Sequence, residues 1–461
     1  MSFCYASKLI TTFKKSNMKK VLLIGNGARE HVIGETLKRA GALVYTYGKA
    51  RNPGLISLSD GYEVGGLKDF DAMRAFALKV KPDFAFVGPD DPIADGTADV
   101  LLEIEIHSVA PLQTVARLES SKSFARDLLA KYEIPGNPRF KVFFTEEGMD
   151  DFLQELGDDF VVKADGLMGG KGVKVSGDHL SGHDEALAFA KECLAGAGRV
   201  VIEEKLIGQE FSLMSFCDGV NIAGMPAVQD HKRAYEGDKG PNTGGMGSYS
   251  DANHLLPFLK QSDIDEAMEM TRRTAKALFE ETGAEFKGIM YGGFIATAKG
   301  VRLIEYNARF GDPEAMNVLP ILKTNFVDVC EAVIHGDLAN LKVEFDNKAT
   351  VCKYIVPEGY PENPVKGEKI EVGAVPEGVK MYYASVDAKE DGLYLSSSRA
   401  IGFVGVADTL PEAEKLAESA CGSIKGSVFY RKDVGTAELI QKRVEMMEAI
   451  RRGQDIDKLG F

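Results

Sequence analysis

The sequence predicts a multidomain protein of mixed α/β and α+β class, and three observations carry that prediction. Up to about residue 119, continuous apolar runs alternate with helical spacing, as in a doubly wound parallel sheet covered on both faces. The middle holds a strand, a glycine-rich turn, a second strand and a helix, the outline of a small lid-like unit. After about residue 340, short strands separated by Gly and Pro, with two helices, indicate an antiparallel α+β domain. A chain of 461 residues has room for roughly two to four such units.

In chain order, residues 1–17 are read as an N-terminal extension, disordered or misassigned. The first 20 residues contain five Lys and no acid, lack the Arg of transit peptides and the apolar core of a signal peptide, and lead to Met18 directly before the first strand. Residues 18–119 form the doubly wound, Rossmann-like domain. "VLLIG" (21–25) is a strand buried on both faces, Ile33, Leu37 and Ala40 mark a helix, and "ALVYTYG", a helix over 69–79 and "DFAFVGP" complete the βαβ units. Residues 120–200 are a linker and lid, with a helix over 120–134, strands at 160–164 and 172–176, and a helix over 183–195. Residues 201–338 form the central region, with strands over 199–206, 211–217, 222–228, 289–298 and 301–307, and an amphipathic helix over 263–282. Residues 339–461 are the C-terminal domain, with strands in "ATVCKYIVP", "KMYYASVD" and "RAIGFVGVA" and helices over 410–421 and 435–452.

Composition narrows the function. The 44% apolar and 27% charged residues are those of an ordinary globular chain. A net charge of -14 argues against a nucleic-acid-binding body while leaving room for local basic pockets. The six Cys are scattered without metal-ligand spacing, as expected of free thiols in a reducing compartment. No apolar run approaches the roughly 18–20 residues of a membrane span.

The chemistry lies in five stretches. "KADGLMGGKGVKV" (163–175) fits neither familiar phosphate loop. Three residues separate Gly166 from Gly170-Lys171 where a P-loop has four, and "VKV" continues as a strand where a dinucleotide fingerprint opens a helix. "GNGAREH" (25–31) sits at the first strand-to-helix turn. Gly25 and Gly27 let the backbone approach a phosphate and Arg29 can add a bidentate contact, but Glu30 takes the place of the fingerprint's last glycine. The loops "RNPG" (51–54) and "VGPDDP" (87–92) end other strands and converge on the same crevice.

In "IEYNARFGDPE" (304–314), Glu305 and Asn307 alternate on a strand and face one side. A carboxylate with an amide oxygen suits a hydrated Mg²⁺ shared with nucleotide phosphates, and Arg309 can brace a phosphate or carboxylate. "QDHKRAYEGDKGPNTGGMGSYS" (229–250) is a Gly-rich loop whose N–H groups can face an anion, with Asp230 suited to an ammonium and Lys232 to an anion. His231 is assigned no catalytic role. "VIEEKLIGQEF" (201–211) can present its backbone to a purine edge, with Glu210 on ribose hydroxyls. Lys122 and Lys163, beside the Gly-rich hairpin, make phosphate clamps.

Together these motifs resemble the ATP-grasp superfamily and, within it, the phosphoribosylamine–glycine ligase family. The resemblance runs through "LLIGNGAREH", "VGPDDP", "ESSKSF", "VVKADGLMGGKGV", "VIEEKLIGQE", "PNTGGMG" and "IEYNARFGDPE", and spans roughly residues 18–450. "KATVCKYIVPEGYP" and "YRKDVGTAELI" look most like archaeal members. The resemblance implies an ATP-grasp core and an ADP-forming ligase of de novo purine biosynthesis. Glycine and 5-phosphoribosylamine would be joined through a glycyl phosphate, with ATP and Mg²⁺ or Mn²⁺, in the cytoplasm. No nucleic acid or membrane partner is implied; a transient contact with the preceding pathway enzyme is.

Residue by residue, the resemblance makes Lys122 and Lys163 nucleotide-phosphate lysines. Gly166, Gly169, Gly170 and Gly172, with Lys171, become the phosphate lid. Glu203, Lys205 and Leu206 become the adenine hinge, Glu210 the ribose contact, and Glu305 and Asn307 the metal ligands. Gly25, Asn26, Gly27, Arg29, Gly88, Pro89 and Asp90 fall in the phosphoribosylamine region. Asp230, Lys232, Asn242, Thr243, Arg309 and Asp312 fall in the glycine and acyl-phosphate region. The departures are Gly293, where many relatives have a second metal carboxylate, Asp90 where Glu is common, and Ala110 where Gly is usual. The competing readings are a carboxylase or formate-using ligase on the same core, a catalytically silent nucleotide-binding protein, and a nicotinamide-dependent oxidoreductase, which would explain the first domain alone.

Overall fold

The first strand, Lys20–Ile24, is the centre of everything N-terminal to residue 119 because its apolar side chains are divided between two cores. Leu22 and Ile24 pack with Met73 and Ala77 on one face, while Val21 and Leu23 pack with Val32, Ile33 and Leu37 on the other. The structure is a computed structural model describing residues 18–168, 172–454 and 456–459. The expected extension over 1–17 and three lid positions, Gly169, Gly170 and Lys171, lie outside the described residues.

Strands Leu43–Gly48 and Gly61–Val64 pair in parallel on one side of the first strand, and Phe84–Val87 and Ser108–Val109 on the other. The direction of winding therefore reverses beside Lys20–Ile24, which opens a crevice at the carboxyl ends of that strand and Phe84–Val87. The helix expected over 120–134 runs over Lys122–Lys131, and a separate helix, Gln113–Ser120, precedes it. Ser121 breaks the run with extended backbone, and its Oγ accepts the Phe124 N–H at 3.2 Å as an N-cap.

The lid is a four-stranded antiparallel sheet of Phe140–Phe143, Val200–Glu204, Phe160–Ala164 and Val173–Val175. Helices Met149–Leu156 and His183–Ala197 cover one face and share a core of their own with it, around Phe143, Leu153, Phe160 and Val162. The central sheet, ordered Ile222–Gly224, Gly208–Asp218, Lys287–Thr297 and Gly300–Asn307, is antiparallel and backed by the Gln261–Thr282 helix. The strand expected over 222–228 stops at Gly224.

The C-terminal domain is antiparallel, as its strand pattern predicts, but it recruits residues from the middle of the chain. Gln229–Asp230 and Gly247–Ser250 join Ala349–Pro357, Ile401–Ala407 and Val379–Tyr383 in one sheet. The segment between them, expected as a loop, holds a hairpin of Arg233–Tyr235 and Lys239–Asn242. "KMYYASVD" divides between two sheets at Ala384 and Ser385, whose N–H groups donate to Ala400 and Arg399 carbonyls. No helix among the described residues is long and apolar enough to cross a membrane. The five described cysteines are free and buried.

Candidate active site

Glu305 and Asn307 lie on the last strand of the central sheet, Gly300–Asn307, and alternate onto the same face. Burial opposes ionisation of Glu305, but Lys232, Lys163, Lys122 and Arg309 outweigh it and hold the carboxyl below its ordinary range. A carboxylate ringed by four cations needs no proton of its own. Asn307 Oδ1 accepts from Arg309 Nη2 at 3.1 Å. Gly293 lies directly across from Glu305 in the neighbouring strand, so no second carboxylate comes from that position. Among the described residues no three His, Cys, Asp or Glu converge on a metal-ligating cluster. Glu305 and Asn307 therefore offer two hard oxygen donors and suit a Mg²⁺-like ion that takes its remaining oxygens from phosphates and water.

The two lysines expected to clamp phosphate both stand at the start of the lid loop. Lys122 Nζ donates to the Gly166 carbonyl at 2.8 Å. Lys163, buried at the end of its lid strand, donates to the Ile304 carbonyl at 3.2 Å and forms an ion pair with Glu203. Burial pushes the Lys163 ammonium down, against the pull of Glu203. The partner that the sequence left unread is Arg126. Its Nε and Nη2 grip Glu203 at 2.8 and 3.0 Å, while Nη1 and Nη2 reach the Leu303 and Ile304 carbonyls at 3.2 and 2.7 Å. Burial works against ionisation of Glu203, yet Arg126 and Lys163 together keep it below the usual carboxylate range. The Glu203 carboxylate is thus committed to the protein.

Lys205 Nζ donates to the Ser176 carbonyl at 2.9 Å, Leu206 is half-buried beside it, and exposed Glu210 lies 3.7 Å from Lys232 Nζ. Of the lid glycines, Gly166 has φ +114, a left-handed turn with nothing close to it, whereas a Cβ on Gly172 would meet Met168 at 2.7 Å.

Three N–H groups of the Gly-rich stretch over 229–250, expected to face an anion, are taken up within the protein. Thr243 N–H donates to the Lys232 carbonyl (2.7 Å), Gly245 N–H to Thr243 Oγ1 (3.0 Å) and Met246 N–H to the His231 carbonyl (2.8 Å). The glycine is required for close approach: a Cβ on Gly245, at φ +111, would lie 2.6 Å from Pro313 and 2.7 Å from Asp230 Oδ1. That turn packs Asp230 against the "FGDPE" segment. Burial and nearby Glu314 push the Asp230 carboxyl well above its ordinary range, opposed by Lys232 and Arg399. Glu314 accepts from Ser212 Oγ at 2.9 Å and Tyr291 Oη at 2.5 Å. Two acids crowded in this way favour a cation between them. Both oxygens of Asp312 are engaged, by Tyr354 Oη (2.5 Å) and Arg399 (3.1 Å), so its carboxylate holds the loop together. Asn242 is exposed and Thr243 is half-buried at the rim.

Three family models cover most of the chain. They are Phosphoribosylglycinamide synthetase, N domain, over residues 19–119; its ATP-grasp (A) domain over 120–315; and its C domain over 350–437. A phosphoribosylamine–glycine ligase of Methanocaldococcus jannaschii is 49% identical over 445 residues, covering 94% of this chain and 100% of the relative. The chain belongs to the phosphoribosylglycinamide synthetase family. The crystal structure of phosphoribosylamine–glycine ligase from Thermotoga maritima superposes with a TM-score of 0.75 at 29% identity, over 90% of this chain and 99% of the other. The biotin carboxylase domain of 2-oxoglutarate carboxylase from Hydrogenobacter thermophilus, solved with MgADP and bicarbonate, gives 0.71 at 16% identity. It covers 95% of this chain and 96% of that one and shares the fold.

In this synthetase the N-terminal crevice is built around Glu30. A Cβ on Gly25 or Gly88 would strike that side chain at 2.6 or 2.3 Å. The Glu30 carboxylate accepts the Gly27 N–H at 2.6 Å and Arg29 Nε at 2.7 Å. An acid therefore occupies the turn where a dinucleotide would rest its pyrophosphate, which explains the broken fingerprint. Arg29 Nη1 reaches the Phe310 carbonyl at 3.2 Å and so links the crevice to the loop after the Gly300–Asn307 strand. Asn26 Oδ1 accepts the Lys49 N–H at 3.0 Å. Asp90, after Pro89, is held low against the cost of burial by Arg309 and Arg29. Arg309 itself pairs with Glu119 at 3.4 Å, and its buried Nε has no partner among the described residues. Glu119, Arg126, Tyr291 and Arg399 are the residues of this site that sequence reasoning missed. Glu119 was within sight, as the first residue of "ESSKSF".

Proposed function

We propose that this synthetase catalyses ATP-dependent ligation of glycine to 5-phosphoribosylamine, giving glycinamide ribonucleotide, ADP and phosphate in de novo purine biosynthesis. The observation that carries the reading is Glu305, kept ionised by Lys122, Lys163, Lys232 and Arg309 from four separate stretches of the chain. That pattern is a receptor for a polyphosphate and its divalent ion. Mg²⁺, or Mn²⁺ in its place, would be held by Glu305 and Asn307, and when bound it neutralises phosphate charge.

In this reading glycine lies with its ammonium at Asp230 and its carboxylate toward Arg309 and Lys232. A glycine carboxylate oxygen attacks the γ-phosphorus of ATP, the bond to ADP breaks, and glycyl phosphate forms. The ribosylamine nitrogen then attacks the acyl carbon, loses a proton, and phosphate departs with the former glycine oxygen. No protein nucleophile is needed because ATP supplies the activation. The protein positions the reactants and cancels charge. Arg309, whose buried Nε has no partner among the described residues, would steady the oxyanion of the tetrahedral intermediate.

Gly25, Asn26, Gly27, Arg29, Gly88, Pro89 and Asp90 form the ribosylamine end of the cleft. The domain limits 18–119, 120–200, 201–338 and 339–461, a cytoplasmic location and a transient contact with the enzyme supplying the labile amine belong to the same reading. ADP release that depends on glycine and freshly made phosphoribosylamine is the expected result. Release that depends on bicarbonate or formate instead would replace this reading by a carboxylase or formate ligase.

A further inference from the structure

Arg399 lies 87 positions from Asp312, just before the Ile401–Ala407 strand of the C-terminal domain, yet its guanidinium reaches the glycine side of the cleft. Nη1 donates to the carbonyls of Gly244 (2.5 Å), Gly245 (3.1 Å) and Asp312 (2.9 Å), and Nη2 pairs with the Asp312 carboxylate at 3.1 Å. The guanidinium carbon sits 4.6 Å from the centre of the Tyr354 ring, and Tyr354 Oη takes the other Asp312 oxygen. The side chain is 14% exposed. Even the glycine at 244 is shaped to it, since a Cβ there would stand 3.1 Å from the guanidinium carbon.

We propose that Arg399 is a positioning residue for the amino-acid half of the reaction. It fastens the Gly244–Gly245 turn to the Asp312 turn, and so fixes Asp230 from both sides. Asp230 is wedged in that seam: the space a Gly245 Cβ would fill is bounded by Asp230 Oδ1 and Pro313. Four oxygens converge on one flat cation. Only a guanidinium meets several of them at fixed angles while stacking on an aromatic face; an ammonium is a point charge and cannot. The nucleotide lysines are anchored elsewhere, on Gly166 and Ile304, so the effect belongs to glycine and not to ATP.

The proposal rests on the reading of residues 229–250 and 309–314 as the glycine region, and its test separates the two. Arg399→Lys in the full chain is expected to lower kcat/KM for glycine about tenfold or more, with KM for ATP unchanged. Backbone hydrogen exchange over 242–247 is expected to accelerate while the lid exchanges as before. Tyr354→Phe, which removes one hydroxyl, is expected to move both readouts in the same direction by less. Unchanged glycine kinetics, or ATP and glycine parameters falling together, would overturn the proposal. Should the wild type show no glycine-dependent ADP release, the substrate reading fails and the exchange measurement alone judges Arg399. Unaltered exchange over 242–247 would then overturn it.

Discussion

Glu305 and Arg309 share one strand end and carry opposite tasks. Glu305 must stay charged while buried, and the cations around it secure that. Arg309 must stay in place while offering its fork, and Glu119, Asn307 and the Tyr291 ring, 5.8 Å away, hold it. Arg309→Lys keeps the charge and loses the fork, so turnover should fall about tenfold or more. A folded Arg309→Lys enzyme with near-normal kcat would refute that role. These two residues were legible in the sequence because alternation on one strand is a local property. Arg126, Glu119 and Arg399 were not, because each acts on a partner brought close only by the fold. Arg126 and Glu203, for example, are 77 positions apart.

Among the elements, the glycine-rich segment over 229–250 shows where local reasoning stopped. Its composition suggested an anion-binding loop, but the N–H groups of Thr243, Gly245 and Met246 are already used. Two of its pieces became sheet strands and its tip is clamped by Arg431 and Arg443 on Asp238. Glycine content reports backbone freedom or close approach, and only the neighbours decide which. The lid is anchored by a comparable buried device, Arg126–Glu203–Lys163, which fastens the linker helix to two lid strands and to the Ile304 carbonyl. Arg126→Met leaves Glu203 with one cation in place of two. Breaking a buried pair in this way costs about 3–5 kcal/mol, which is tenfold several times over in an equilibrium. Calorimetric titration with MgADP should show affinity reduced about tenfold or more; wild-type affinity would show that the triad does not support the nucleotide site.

At the scale of the whole molecule, the N-terminal and C-terminal domains close on each other around one helix. His31 Nδ1 accepts the Tyr383 N–H at 3.0 Å, and the two rings stack 6.0 Å apart. Glu35 binds Lys380 and Tyr382, while Arg39 reaches the Leu319 carbonyl. Burial pushes His31 down from 6.5 to about 4, despite the charge of Glu35. Between those values the unfolded chain takes up a proton that the folded chain refuses. Stability from this ring is complete above pH 6.5 and declines as pH falls toward 4, by a total on the order of 3 kcal/mol. His31→Gln should therefore flatten the fall in melting temperature between pH 6.5 and 4; an unchanged slope would contradict it. The doubly wound, lid and antiparallel regions were each legible from the spacing of apolar residues. Their mutual packing was not, since it rests on contacts such as these, which no local pattern encodes. The central claim is that ATP activates the glycine carboxylate. Glycine labelled with ¹⁸O in its carboxylate, turned over with ATP and phosphoribosylamine, tests it directly. The account predicts one labelled oxygen in each inorganic phosphate released; phosphate free of label would contradict it.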